Sequence, residues 1–120
     1  MSIPQRDRKS LWDMLRATQR IQEFVQGLSE ADFLDSLLVQ NAVERQLEIL
    51  GEAARRISPD FQQSHPEIDW RNIIGLRNIL AHRYDEISAK RLWRTVTGDL
   101  ADLNQTIDRL LPDLSSEESL

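Results

Sequence analysis

Apolar residues recur every three or four positions along nearly the whole chain. Leu11, Met14, Leu15, Thr18, Ile21, Phe24 and Val25 form the first series, which predicts a helix with one buried face. Ser10 is its expected N-cap, with Asp13 three residues later to favour the helix N-terminus. Gly27 predicts the end of that helix, and Ser29, before Glu30 and Asp32, predicts the start of the next. From about Glu30 to Ile57 the apolar surface is broad. It reads either as one long helix or as a short one bending into a long one near Leu38–Gln40. Ser58-Pro59 stops it, and residues 58–69 read as a connection with room for one helical turn. Asp69 is placed to cap a third helix that runs to about Ala81. Ser88 is placed to cap a last one, whose buried face is Leu92, Val96, Leu100, Leu103, Ile107, Leu110 and Leu111. Pro112 ends that helix.

The pattern predicts an all-α, up-and-down bundle of four to five helices. The expected layout is a flexible N-terminus at 1–9, one helical domain at 10–111, and an acidic, disordered tail at 112–120. A four-helix unit of 120 residues often completes its core by dimerising, so a dimer is expected. Gly51 interrupts the helical pattern, where glycine costs about 1 kcal/mol against alanine. With Ala53 and Ala54 beside it, the preferred explanation is close approach of a neighbouring helix.

Composition narrows the class. Glycine and proline number only four each, and the absence of cysteine removes disulfide frameworks and thiolate metal sites. The start lacks a hydrophobic signal core and no run approaches about 18 apolar residues, so a soluble, cytoplasmic protein is expected. The net charge of −5 argues against broad, non-specific nucleic-acid binding. Charge is uneven, however: residues 71–94 carry a local +4, and arginines dominate the basic residues. Guanidinium suits bidentate phosphate contact, so the window permits RNA without establishing it. His65, before Pro66, reads as an ordinary loop histidine. No clustered His or acid set offers a metal site, and no cofactor is expected.

Residues 77–84, Arg-Asn-Ile-Leu-Ala-His-Arg-Tyr, hold the candidate chemistry. Helical spacing puts Arg77 inside the apolar arc of Ile73, Leu76 and Leu80, and puts Asn78 and His82 together on the opposite face. A guanidinium keeps its charge, so one set in an apolar stripe must be paired or must face a ligand. The plain expectation is an internal ion pair to Glu52 or Glu44. The alternative is an anion site in which Arg77 grips a phosphate and His82, titrating near neutrality, moves a proton. On an ideal helix, residues five apart diverge by roughly 140°. Either the helix bends there, or two subunits bring their motifs together across a two-fold axis.

Arg77-x4-His82-x-Tyr84 resembles the R-x4-H-x-Y signature of HepT-like proteins. These are HEPN-domain ribonuclease toxins encoded beside a minimal nucleotidyltransferase antitoxin of the MntA type. Ala42-Val43-Glu44-Arg45, Gly51-Glu52-Ala53-Ala54, Trp70-Arg71-Asn72-Ile73 and Leu92-Trp93 resemble family blocks in the family order, so the resemblance runs from about Leu11 to Leu111. It implies an HEPN-like bundle and the toxin component of a type VII toxin–antitoxin system. It also implies a cleft at a dimer interface, catalytic Arg77 and His82, and Tyr84 as acceptor of AMP from the partner nucleotidyltransferase. The expected partners are RNA, that antitoxin and a second copy of the chain, with a larger hetero-oligomer as a further option.

If Arg77 and His82 share a cleft, the natural reaction is metal-independent RNA cleavage by the substrate's own 2′-hydroxyl. His82 then serves as general base or acid, Arg77 stabilises phosphoryl charge, and Asn78 supports. Two readings without chemistry stand beside this one. The chain is then a helical subunit that binds and assists a nucleotidyltransferase, or a structural helical dimer with no ligand.

Overall fold

The computed structural model describes residues 3–82 and 88–111, with the side chain of His82 outside that set. The described residues form seven α-helices and one π-helical turn. These are α1 (Gln5–Val25), α2 (Glu30–Leu34), α3 (Leu37–Arg55), α4 (Pro59–Ser64), α5 (Trp70–His82), α6 (Ala89–Arg94), the π turn (Thr95–Asp99) and α7 (Leu100–Leu110). The long helices α1, α3, α5 and α7 make the bundle, and the short ones turn its corners. No strand occurs among the described residues.

The first helix starts five residues before the expected cap. Pro4 occupies the N-cap and Asp7 lies in the first turn. Asp7 is buried and accepts hydrogen bonds from the Ser58 backbone N–H at 2.9 Å and the Ser58 hydroxyl at 2.7 Å. Ser10 is therefore a buried residue inside α1 rather than its cap. The early start depends on a partner 51 residues away, which local periodicity does not register.

The other ends follow their local signals. Gly27 takes a positive φ of 79°, and Ser29 and Asp32 form a reciprocal capping box for α2. The break before the long helix falls at Asp35–Ser36, ahead of the expected Leu38–Gln40. Ser36 caps α3 through Val39 N–H, and the Gln40 amide donates to the carbonyls of Phe33 and Leu34, which satisfies the end of α2. Ser58 caps α4, and Asp69 Oδ1 accepts from Asn72 N–H to cap α5. Ser88 caps α6, as expected, but the last helix is not uniform. A π turn lies at Thr95–Asp99, where the hydroxyls of Thr95 and Thr97 bond back to the carbonyls of Arg91 and Trp93.

Helix α3 is the centre of the molecule, packed between α1 and α5, with α7 closing against α1. Leu11, Ile21, Phe33, Val43, Leu50 and Ile107 are essentially fully buried. Asn104 donates to the buried Thr18 hydroxyl at 2.8 Å and ties α7 to α1, while Trp93 lies against Phe33 with ring centroids 5.3 Å apart. Trp70 is also a core residue: its ring meets Phe61 edge-on and its indole N–H donates to the His65 carbonyl.

Gly51 sets the distance between α3 and α5. A Cβ built on it would overlap the Cβ of Arg77, lie 2.8 Å from Arg77 Cγ and lie 3.1 Å from the Ile73 carbonyl oxygen. The expected close approach is therefore present, and its partner is the stem of Arg77. Gly51→Ala should lower stability by about 1–3 kcal/mol through overpacking, despite alanine's better helix propensity. Gly98→Ala meets open space and should be neutral or stabilising by up to about 1 kcal/mol. Urea unfolding of both variants checks this, and a Gly51→Ala midpoint at or above wild type would remove the close approach from the account.

Candidate active site

Helix α5 lies chiefly on α3, with Leu76 and Leu80 buried and Ile73 half-buried on the shared face. Arg77 lies on that face too. Its Cβ and Cγ rest over Gly51, and its guanidinium emerges into a cleft of about 230 Å³ between α1, α3 and α5. Asp13, Arg45, Glu48, Glu52, Arg56 and Ala81 line the cleft with it.

Arg77 is held from two sides. Nη2 lies 3.2 Å from Glu52 Oε2, and Nη1 donates to Asn78 Oδ1 at 3.1 Å. The expected ion pair therefore exists, and of the two candidate acids Glu52 is the partner. Glu44 instead has its pKa raised, first by burial and then by the charge of Glu48. The pair is not sealed away: the Arg77 and Glu52 side chains keep 26% and 25% of their surface exposed. A guanidinium has five N–H donors, more than these two contacts use, so an anion entering the cleft still finds donors.

Glu52 is shared by three guanidinium groups. Arg55 donates to it from Nη2 at 2.7 Å and from Nε at 3.3 Å, Arg56 Nε lies at 3.5 Å, and Arg77 lies across from α5. The Arg55 hydrogen bond, with the charges of Arg55, Arg77 and Arg56, holds the Glu52 carboxyl below the usual carboxylate range, against a smaller opposing effect of burial. Glu52 is an expected partner of Arg77 from the sequence, whereas the parts played by Arg55 and Arg56 emerge from the structure. Their signal was local: Glu52-x2-Arg55-Arg56 places both bases at the i+3 and i+4 positions that face a helical glutamate.

The remaining sequence candidates divide clearly. Asn78, expected to share a face with His82 and support it, has its amide oxygen on Arg77. His82 is the last residue of α5; its side chain, and Tyr84 altogether, lie outside the described residues. Helix α5 is continuous from Trp70 to His82, so positions 77 and 82 belong to one helix. His65 pairs with Glu67 at 3.2 Å and lies over Phe61, the ordinary role expected of it. Among the described residues, no three His, Asp or Glu side chains are grouped to hold a metal ion. A second cavity of about 260 Å³, floored by Leu47, Leu50, Leu76 and Leu103, contains none of the predicted site residues.

The ribonuclease HepT-like family matches residues 14–110, most of the chain. The chain belongs to this HepT-like ribonuclease family. Among curated relatives, a protein named as a candidate RNase from Methanocaldococcus jannaschii is 35% identical over 107 residues, covering 88% of this chain and 98% of its own. A protein named as a probable ribonuclease HepT from Thermococcus cleftensis is 39% identical over 100 residues, covering 83% of this chain and 91% of its own. No solved structure matches significantly. The matched segment contains Arg77, its partners Glu52 and Asn78, and the whole cleft except Asp13. No helix among the described residues is long and apolar enough to cross a membrane.

The depressed pKa of Glu52 has a consequence for stability. A carboxylate whose folded pKa is lowered stabilises the fold above its unfolded pKa and loses that contribution as pH falls through the folded value. Thermal unfolding of wild type and Glu52→Gln should therefore differ most near neutral pH, wild type being the more stable, and the curves should converge in acid. A gap of constant size from neutrality to below the carboxylate range would rule out the charge network as its source.

Proposed function

We propose that the chain is an endoribonuclease toxin of a type VII HepT/MntA-like system, cleaving RNA without a metal ion at a cleft built around Arg77 and His82. One observation carries the reading. In a chain of a ribonuclease family, the motif arginine stands in an open cleft, fixed by Glu52 and Asn78, with donors to spare for a phosphate. The substrate 2′-hydroxyl attacks the adjacent phosphorus and the 5′-oxygen leaves. His82 takes the proton from the attacking hydroxyl or gives one to the leaving oxygen, and Arg77 stabilises the charge building on the phosphoryl oxygens. The products are a 2′,3′-cyclic phosphate and a 5′-hydroxyl end.

The site is proposed to form between two copies of the chain. Positions 77 and 82 lie about 140° apart around one continuous helix, so a second chain is the simpler way to bring both groups to one phosphate.

Regulation is proposed to act through Tyr84. A cognate minimal nucleotidyltransferase transfers AMP from ATP to its hydroxyl, the phenol oxygen bonding to the α-phosphorus as pyrophosphate leaves, and adds negative charge and bulk close in sequence to His82, where they compete with RNA phosphate.

Purified protein should cleave single-stranded RNA in the presence of EDTA and leave DNA intact. Arg77→Ala and His82→Ala should each lower the rate by at least about 100-fold, the range expected for loss of an oxyanion donor or a general acid or base. Gel assays with end-group analysis check this. Full activity in a folded Arg77→Ala or His82→Ala protein would remove that residue from the mechanism, and no cleavage or toxicity from wild type would favour the non-catalytic subunit that assists a nucleotidyltransferase.

Co-expression with the cognate nucleotidyltransferase should add the mass of one or more AMP groups to wild type and none to Tyr84→Phe, as read by intact mass spectrometry. Identical spectra for the two proteins would remove Tyr84 as the acceptor.

A further inference from the structure

The Arg77 cleft does not end at Arg77. A second depression, lined by Gln5, Arg6, Lys9, Ser10, Asp13 and Arg56, adjoins it, and the two share Asp13 and Arg56. Together they carry Arg45, Arg77, Arg56, Lys9 and Arg6 against Asp13, Glu48 and Glu52, a local excess of positive charge in a chain whose net charge is −5. Arg45, on α3, and Arg56, its C-cap in helical conformation, are eleven residues apart. Eleven residues return a helix to within about 20° of the same face and advance it about 16 Å. That is well beyond the spacing of neighbouring phosphates on one strand.

The charges are layered. The Arg45 and Arg56 side chains are 71% and 63% exposed and that of Lys9 is 79% exposed, while Glu48, Glu52 and Asp13 are 28%, 25% and 37% exposed. Cations therefore form the rim and carboxylates the floor. The rim cations are held loosely: Arg45 to Glu48 at 3.6 Å, Arg56 to Glu52 at 3.5 Å and Lys9 to Asp13 at 3.6 Å. Exposed pairs of this kind contribute little to stability and exchange readily for a phosphate. Arg55 differs, since two hydrogen bonds, at 2.7 and 3.3 Å, commit it to Glu52.

We infer that Arg45, Arg56 and Lys9 form a phosphate track on the α1–α3 face, along which a single RNA strand runs in both directions from the phosphate held at Arg77. The inference rests on the proposed ribonuclease site and extends it: the substrate is a strand several nucleotides long, gripped through its backbone on either side of the scission point. The longer arm passes Arg56 and Lys9 towards Arg6. The carboxylate floor keeps phosphates at the rim and disfavours binding elsewhere by an acidic chain. Of the described cations in the basic window at residues 71–94, which permits RNA without establishing it, Arg77 is the one that lines this track.

The test uses a 2′-O-methyl RNA strand, which keeps the backbone charge and lacks the attacking hydroxyl. Binding is followed by fluorescence anisotropy over a range of salt. The triple variant Lys9→Ala/Arg45→Ala/Arg56→Ala, shown to be folded by circular dichroism, should bind at least about 10-fold more weakly at low salt. The slope of log affinity against log salt should fall by about 2, since each single-strand phosphate contact contributes about 0.7. A charge-matched control, Lys90→Ala/Arg94→Ala/Arg109→Ala, should keep the wild-type slope. A wild-type slope in the first variant, or a loss confined to the control, overturns the track. Cleavage is read separately. RNA cleavage that depends on Arg77 with no effect of the triple variant on binding leaves the ribonuclease standing and ends the track. Binding that depends on the three residues without any cleavage does the reverse.

Discussion

The structure depends on the absence of one side chain. At Gly51 the backbone of α3 comes so close to α5 that the stem of Arg77 occupies the space where a Cβ would stand. Everything at the candidate site follows from that approach. It seats α5 on α3 with Leu76 and Leu80 buried, and it holds the first carbons of Arg77 against a surface that cannot move aside. It also brings the guanidinium level with the next residue along, Glu52. The glycine is unfavourable for an isolated helix, and the tertiary contact decides its presence.

A second layer of constraint is electrostatic. Glu52 neutralises part of the charge of three arginines, two from its own helix and one from α5. In an apolar interior such a cluster would be costly; at the edge of a cleft, water reaches it and the desolvation cost falls. The result is an arginine with a fixed position and an open coordination face. Catalysis of phosphoryl chemistry asks for that combination, because donors already aligned need no reorganisation when charge develops. The same cluster serves as structure and as the proposed site.

Much of the fold is legible in the sequence. Helix existence followed from the three-and-four spacing, and the ends at Gly27, Ser29, Ser58, Asp69 and Ser88 carry their signals in the residues themselves. The candidate site was legible in part for the same reason. Arg77 inside an apolar arc demanded a partner, and few acids were available. What escaped notice was held by long-range contacts. The start of α1 rests on Asp7 meeting Ser58, and the π turn at Thr95–Asp99 has no strong local signature. The contribution of Arg56 and Lys9 to one groove with Arg77 joins residues from three helices, so no window of sequence contains it.

The sequence by itself determined an all-helical chain and singled out Arg77 as a candidate, because periodicity, capping residues and a charged side chain in an apolar stripe are properties of neighbours along the chain; the HepT-like resemblance came from its motif residues. Only the tertiary structure decided which carboxylate Arg77 would meet, that Asn78 would bind it rather than stand apart, and which cations would share its cleft. Those outcomes depend on how far apart two helix axes sit and how they are rotated, and packing at a single glycine sets both.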